Sequence, residues 1–313
     1  MADLLVRLGS LTLGNPVLAA AGTFGYGVEF AERVRLSRLG ALVTKTLTRE
    51  PRAGNPPPRM VETPSGMLNA VGLQNMGLAA FLSDTLPRLR PYGATVIVSL
   101  LADNLEEVAA MVQAVDRADG AAGIELNLSC PNLTREATVR PPLVAQDPEA
   151  TARMVEAARR VTRKPLFAKL TPDVTDLAPI AQAAERAGAD ALTISNTYTG
   201  MSLDPVSRAS RLGVLTGGLS GPAIRPLAVY RAWYTAQHVR VPVIGLGGIV
   251  RAEDAVEFLL AGASAVAVGT ATFADPRAPL RVLEGLERYC RRHGIARLGE
   301  LRGALKIKIG DSH

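Results

Sequence analysis

Glu125-Leu126-Asn127-Leu128-Ser129-Cys130-Pro131-Asn132 alternates apolar and polar residues, then meets a proline that cannot extend a hydrogen-bonded ladder. The pattern predicts a strand that ends by presenting Asn127, Cys130 and Asn132 on the loop beyond it. A thiol there could act as a proton acceptor. With an ordinary pKa of about 8.5 it would be a weak base at neutral pH and a better one as pH rises. A free cysteine is equally well known as a small buried apolar residue, and the segment alone leaves both readings open.

Lysine usage supplies a second signal. Of 35 basic residues only Lys45, Lys164, Lys169, Lys306 and Lys308 are lysine, and both Lys45 and Lys169 end apolar runs. A compact ammonium reaches a single atom where the broad arginine fork cannot. Histidine is informative by its scarcity. His238 follows a predicted helix, His293 follows another and His313 is the last residue, so histidine base catalysis and histidine metal ligation are not expected, and no metal site is assigned.

The elements that would position these groups repeat along the chain. Short β-rich runs at 17–20, 41–44, 95–100, 123–128, 166–169, 191–195, 242–246 and 265–268 alternate with helical patterns near 29–39, 77–90, 105–118, 148–161, 175–187, 221–237, 252–261 and 279–291. Eight βα units predict a closed (β/α)8 TIM barrel within the α/β class, formed as a single domain over 1–313 with no interdomain linker. Leu11 to Leu13 is expected in a hairpin plugging the barrel bottom. Asp147-Pro148, Thr175-Asp176 and Gly221-Pro222 read as helix starts. Long loops without structure of their own are expected at 46–76, 130–147 and 196–220, all beyond the C-terminal ends of strands, where barrel active sites are built.

Residues just beyond the strands are Gly22, Lys45, Leu100, Asn127 with Cys130, Lys169, Asn196 with Thr197, Gly247-Gly248 and Gly269-Thr270. Two ammonium groups and two amides thus converge on one rim. Glycine pairs after the last two strands would let backbone N–H groups approach a phosphate, although tight turns need glycine too. Glu125, two residues from Asn127, should point into the barrel and pair with Lys169 or another polar group. Gly217 to Gly221 reads as a flexible rim segment.

Composition narrows the classes. A 313-residue chain that is 48% hydrophobic can bury a large core. Its charge of +6 comes from arginines scattered along predicted helices, which argues against nucleic-acid binding. No signal-peptide pattern or membrane-length apolar run occurs, so a cytoplasmic protein without a membrane segment is expected. Two cysteines cannot build an iron–sulfur site or disulfide framework within the chain.

Four ordered motifs resemble the class 1 dihydroorotate dehydrogenases, flavoprotein oxidoreductases of pyrimidine biosynthesis: Ser65 to Asn75, Asn127 to Asn132, Gly217 to Pro222, and Gly262 to Thr270. The resemblance runs from about Leu11 to Asp275, and the wording of the Asn69 and Gly218 motifs is most similar to class 1B. It implies FMN across the barrel mouth, with phosphate held by Gly221, Gly247, Gly248, Gly269 and Thr270. Ala21, Thr44, Lys45, Asn127, Lys169 and Ser195 would contact the rest of the cofactor. Dihydroorotate, the substrate whose oxidation gives orotate, would be held by Lys45, Asn69, Ala70, Val71, Gly72, Leu73, Asn127, Asn196 and Thr197. Cys130 would remove the C5 proton while hydride leaves C6.

Class 1B further implies a homodimer and a partner subunit carrying FAD and an iron–sulfur cluster, which passes electrons to NAD. A fumarate-linked class 1A-like enzyme and a related dihydropyrimidine reductase are the alternatives. The latter is suggested by Phe167 to Pro172, similar to a segment of dihydropyrimidine dehydrogenases. A flavin-free phosphate-binding lyase or isomerase barrel would explain the glycine pairs but not the Asn69 loop. Three departures from the family pattern stand out: Leu100 for a common asparagine, Ala21 for a common serine, and a long, glycine-poor stretch from Leu133 to Gln146. Cys290, on the last helix, is expected to be structural.

Overall fold

Eight parallel strands close into a barrel in this computed structural model, which describes residues 2–129 and 143–306. Cys130, Pro131, Asn132 and most of the 133–146 stretch lie outside the described residues, as does His313. In chain order the strands are β1 Val6–Leu8, β2 Leu11–Leu13, β3 Val17–Ala19, β4 Ala41–Val43, β5 Met60–Thr63, β6 Gly66–Asn69, β7 Val96–Leu100 and β8 Ala121–Asn127. There follow β9 Leu166–Lys169, β10 Ala191–Ile194, β11 Tyr198–Gly200, β12 Leu203–Asp204, β13 Ala209–Ser210, β14 Gly217–Ser220, β15 Val243–Leu246 and β16 Ala265–Val268. The barrel runs β3-β4-β7-β8-β9-β10-β15-β16 and closes back on β3. The eight predicted strands therefore form as expected, displaced at their ends by no more than two residues.

Alternation along each strand divides two cores. Leu18, Val43, Ile97, Phe167, Ile244 and Ala267 point into the barrel, and Leu8 and Leu13 of the β1-β2 hairpin pack against them from below. Both leucines are at most 1% exposed. Burying such side chains contributes about 1.5–3 kcal/mol each, which holds the expected plug in place. Val17, Leu42, Val98, Ile124 and Leu192 face outward into a layer shared with the helices. Leu100 belongs to this outer layer at 1% exposure, so it does not face the rim as its position suggested; its neighbour Ser99 points inward instead.

Most helices match expectation. Leu105–Arg117 starts at Asn104, whose side chain accepts from Glu107 N at 2.9 Å. Pro148–Arg159 starts at Asp147, which accepts from the N–H groups of Glu149 and Ala150. Asp176 accepts from Ala178 N ahead of Ala178–Arg186, and Pro222–Ile224 forms one 3-10 turn before Arg225–His238. The remaining long helices, Ala252–Leu260 and Ala278–Arg292, lie where the pattern put them. Leu78–Ala80 and Leu86–Leu89 flank a π turn at Phe81–Thr85.

The predicted helix at 29–39 does not form. Two 3-10 turns, Val28–Phe30 and Leu36–Arg38, replace it. Bringing Val34, Leu36 and Leu39 into one core requires the chain to extend at Arg35 (ψ 90), and that burial outweighs the local helical pattern. The loops at 46–76 and 196–220 are also not structureless. They contribute β5, β6, β11 and β14 to a four-stranded antiparallel sheet, ordered β11-β14-β6-β5, with a small core of Leu68, Ala70 and Leu212. The Gly217 to Gly221 segment is thus mainly a central strand. Its glycines allow close approach: a Cβ at Gly217 would sit 2.6 Å from Asn69 O, and one at Gly218 would sit 2.0 Å from Thr197 Oγ1.

Candidate active site

The barrel mouth and this four-stranded sheet enclose a cavity of about 400 Å³, within the range of small-molecule and cofactor sites. The floor is made by residues at or just beyond strand ends: Ala21, Gly22, Lys45, Asn127, Lys169, Ser195 and Asn196. The sheet contributes Asn69, Ser220 and the adjoining Val71, Gly72 and Leu73 as a roof, with Thr197 beside them. One wall carries Gly221, Gly247, Gly248, Gly269 and Thr270.

Nearly every sequence-predicted site residue that falls in the described chain is therefore brought to one cavity. Thr44 and Ala70 are not. Thr44 is fully buried and its Oγ1 accepts from Ser99 N at 3.0 Å, tying β4 to β7. Ala70 turns into the small roof core. Residues without a local signal also line the cavity. Thr46 follows Lys45 at the floor, Phe273 stands at the mouth with 48% exposure, and Arg59 is pinned to the roof. Arg59 donates to Asn55 O at 2.6 Å, Gln74 Oε1 at 2.8 Å and Ala53 O at 2.9 Å. Arg59 is one of three arginines in a Pro- and Gly-rich loop without periodicity, so nothing local singles it out.

The electrostatics favour an anion. Among the described residues every ion pair uses arginine, so neither Lys45 nor Lys169 has a carboxylate partner. Lys169 is 5% exposed. Burial pushes the Lys45 ammonium below the ordinary lysine range, with Glu29 opposing this and Arg59 adding to it. A buried cation, Lys169, and a half-buried one, Lys45, facing one cavity lower their energy by meeting negative charge there.

The phosphate wall follows the same logic. Among the described residues the backbone N–H groups of Gly248, Gly269 and Thr270 donate to no protein acceptor. Positive φ at Gly221 (91) and Gly248 (71) turns this backbone in a way that other residues resist. Free N–H donors grouped on a concave surface suit phosphate oxygens. The residues present thus fit FMN: a donor-lined wall for the phosphate, and amides and ammoniums for a polar ring system.

Glu125 does not pair with Lys169. It is 2% exposed, and its two oxygens accept from Ser99 Oγ at 3.2 Å and Thr193 Oγ1 at 2.9 Å. Asn127 donates to Thr46 Oγ1 at 3.0 Å and accepts from Ser129 Oγ at 3.1 Å. Asn196 donates to Ser129 O at 2.9 Å and Ser129 Oγ at 3.0 Å. These bonds hold the residue immediately before Cys130. Cys290 is buried on Ala278–Arg292, away from the cavity lining, and burial raises its thiol pKa. His238 ends Arg225–His238 against the Tyr234 ring, and His293 lies against Tyr289; neither lines the cavity.

No helix among the described residues is long and apolar enough to cross a membrane. A family profile described as Dihydroorotate dehydrogenase matches residues 3–290. The chain is 50% identical over 305 residues to the Dihydroorotate dehydrogenase B (NAD(+)), catalytic subunit, of Geotalea daltonii, covering 97% of this chain and 99% of the relative. The proteins of the same name from Pelobacter propionicus and Geobacter sulfurreducens are 49% and 48% identical, again over 97% of this chain and 99% of theirs. The NAD(+) in these names does not favour the fumarate-linked alternative. With its closed (β/α)8 barrel and a cavity fitted to a flavin phosphate and a polar ring, the chain belongs to the dihydroorotate dehydrogenase family, a family of FMN-binding enzymes.

Proposed function

We propose that the chain is the catalytic subunit of an NAD-linked dihydroorotate dehydrogenase, a single barrel domain over residues 1–313 that oxidises dihydroorotate to orotate in pyrimidine biosynthesis. The observation that carries this reading is the convergence of Lys45, Lys169, Asn127 and Asn196 on one cavity beneath the Asn69 loop. The family and the relatives' names supply the reaction; the cavity supplies groups suited to an anionic pyrimidine.

FMN, when bound, supplies the acceptor for the hydride that leaves C6 of the substrate. Backbone donors of Gly248, Gly269 and Thr270 hold its phosphate, while Lys45, Lys169, Ser195 and Ala21 lie against the remainder. Asn127, Asn196, Thr197 and the Asn69 to Leu73 segment hold the pyrimidine edge and carboxylate. Cys130, as thiolate, takes the C5 proton as the C5–C6 double bond forms. Support for this role comes from the resemblance and from Ser129, whose bonds to Asn127 and Asn196 tie the start of the Cys130 segment to the substrate amides.

As the class 1B resemblance implies, electrons leave through a partner subunit carrying FAD and an iron–sulfur cluster, a cluster that the two cysteines of this chain cannot themselves build. The enzyme works as a cytoplasmic homodimer with that partner. Cys130→Ser should retain FMN yet slow flavin reduction by orders of magnitude at neutral pH, because an alcohol is a far weaker base. Single-turnover reduction at the wild-type rate would overturn the assignment.

A further inference from the structure

A chain of buried hydrogen bonds runs from the barrel interior to the cavity. Glu125 lies at its lower end. Ser99 Oγ donates to Glu125 Oε1 at 3.2 Å, Thr46 Oγ1 lies 3.0 Å from Ser99 Oγ, and Asn127 Nδ2 donates to Thr46 Oγ1 at 3.0 Å. On the other side of Asn127, Ser129 Oγ donates to Oδ1 at 3.1 Å and receives Asn196 Nδ2 at 3.0 Å. Asn196 Oδ1 in turn accepts from Thr197 N at 2.8 Å. Glu125, Ser99, Thr46, Asn127 and Ser129 are all 6% exposed or less, so water does not compete for these bonds.

Direction along such a chain is a matter of counting protons. Each hydroxyl has one proton to donate, and an ionised carboxylate only accepts. Ser99 gives its proton to Glu125, so it can only accept from Thr46. Thr46 is then committed to Ser99 and accepts the amide N–H of Asn127. Asn127 must turn Oδ1 toward Ser129, whose own proton goes there, leaving Ser129 Oγ to accept from Asn196. Without the carboxylate, the hydroxyls could reverse and the Asn127 amide could flip, whereas Asn196 is held one way round by the backbone, donating to Ser129 O at 2.9 Å and accepting from Thr197 N at 2.8 Å.

We propose that Glu125 is a positioning residue that sets the direction of this chain and thereby fixes which amide edge Asn127 offers to the pyrimidine. The inference rests on the functional reading above, in which Asn127 holds substrate. It explains why a carboxylate is buried in the barrel with hydroxyl partners instead of an ion pair. It also identifies Ser99 and Thr46 as the residues through which Glu125 acts.

Glu125→Gln is nearly isosteric but gives the lower end a donor, which allows the chain to run backwards. FMN content should be unchanged, KM for dihydroorotate and the Kd of orotate should rise about tenfold, and kcat should change far less. Orotate binding is read from the perturbation of the bound flavin spectrum, which needs no turnover. Ser99→Ala cuts the same chain while keeping the carboxylate, and should give the same rise. The two substitutions together should give no more than either alone. Thr193→Val removes the donor to the other Glu125 oxygen and does not touch the chain, so it should lower thermal stability while leaving orotate affinity at the wild-type value.

Wild-type affinity in both Glu125→Gln and Ser99→Ala would overturn the inference. So would additive effects in the double variant, or an equal loss in Thr193→Val, which would reduce Glu125 to a structural role. A wild-type protein that binds no orotate would instead refute the functional reading.

Discussion

The floor and the roof of the cavity are built on different physical principles. Floor side chains stand at the ends of parallel strands whose register is locked around a closed barrel, as where Asn127 lies beside Lys169. Three of them are deeply buried, Asn127 at 6%, Lys169 at 5% and Ser195 at 1% exposure, with Lys45 and Asn196 half-buried beside them. The roof is a four-stranded antiparallel sheet over a small core, with Leu68, Ala70 and Leu212 buried and Val61, Val214 and Leu219 half-buried against them. Its Met60 is 37% exposed, and its central strand is held close by glycines. A small core means a lower local cost of opening. The floor thus fixes charge and hydrogen-bond direction, while the roof governs which ring fits and how it enters.

If that division is right, the largest loss follows damage to a floor cation. Lys45→Ala should weaken both flavin retention and orotate binding, the latter by about tenfold to a hundredfold, the scale of a lost hydrogen bond to a charged group. Titration sharpens the same point. Burial lowers the Lys45 pKa, so the ammonium is lost on the alkaline side sooner than an ordinary lysine would be. Orotate affinity in the wild type should fall as pH rises through that lowered value, and orotate binding there should take up a proton. Spectral titrations across alkaline pH check this, and a flat affinity would contradict it.

Damage to the roof should separate substrate from cofactor. Gly218→Val places atoms where Thr197 Oγ1 already stands, and overpacking of this kind costs about 1–3 kcal/mol. Dihydroorotate affinity should drop about tenfold while FMN content, measured by absorbance, stays at the wild-type level. Loss of both together would erase the distinction between the two regions.

The smallest effect belongs to the tether between them. Arg52, in the chain leading to the roof, pairs with Asp103 beyond β7 at 2.9 Å, but the side chains are 32% and 60% exposed. Asp103→Asn should change the unfolding free energy by less than about 1 kcal/mol in a denaturant titration. A larger loss would mean that the roof is held from outside and not by its own core.

The same contrast governs what could be read from sequence. The barrel strands were legible because apolar β-rich runs such as Leu166 to Lys169 and Ala265 to Val268 are short, bounded and regularly spaced. Floor residues followed from them by position alone. Roof strands such as Gly66–Asn69 and Gly217–Ser220 carry glycine and polar residues with no alternation, so their pairing depends on contacts about 150 positions apart, as in Asn69 Nδ2 donating to Gly218 O. The 29–39 segment misled because local helical pattern lost to burial of Leu36 and Leu39. Glu125 was rightly placed inside the barrel, but its partners come from β7 and β10, and only the closed fold makes them neighbours.

Mixing the purified flavoprotein, without oxygen, with dihydroorotate and separately with dihydrouracil decides whether the cavity oxidises the anionic pyrimidine. Dihydroorotate should bleach the flavin absorbance with release of about one equivalent of orotate per flavin, while dihydrouracil should leave the flavin oxidised over the same time. A colourless protein that takes up no FMN, or a flavin reduced faster by dihydrouracil than by dihydroorotate, would contradict the proposed function.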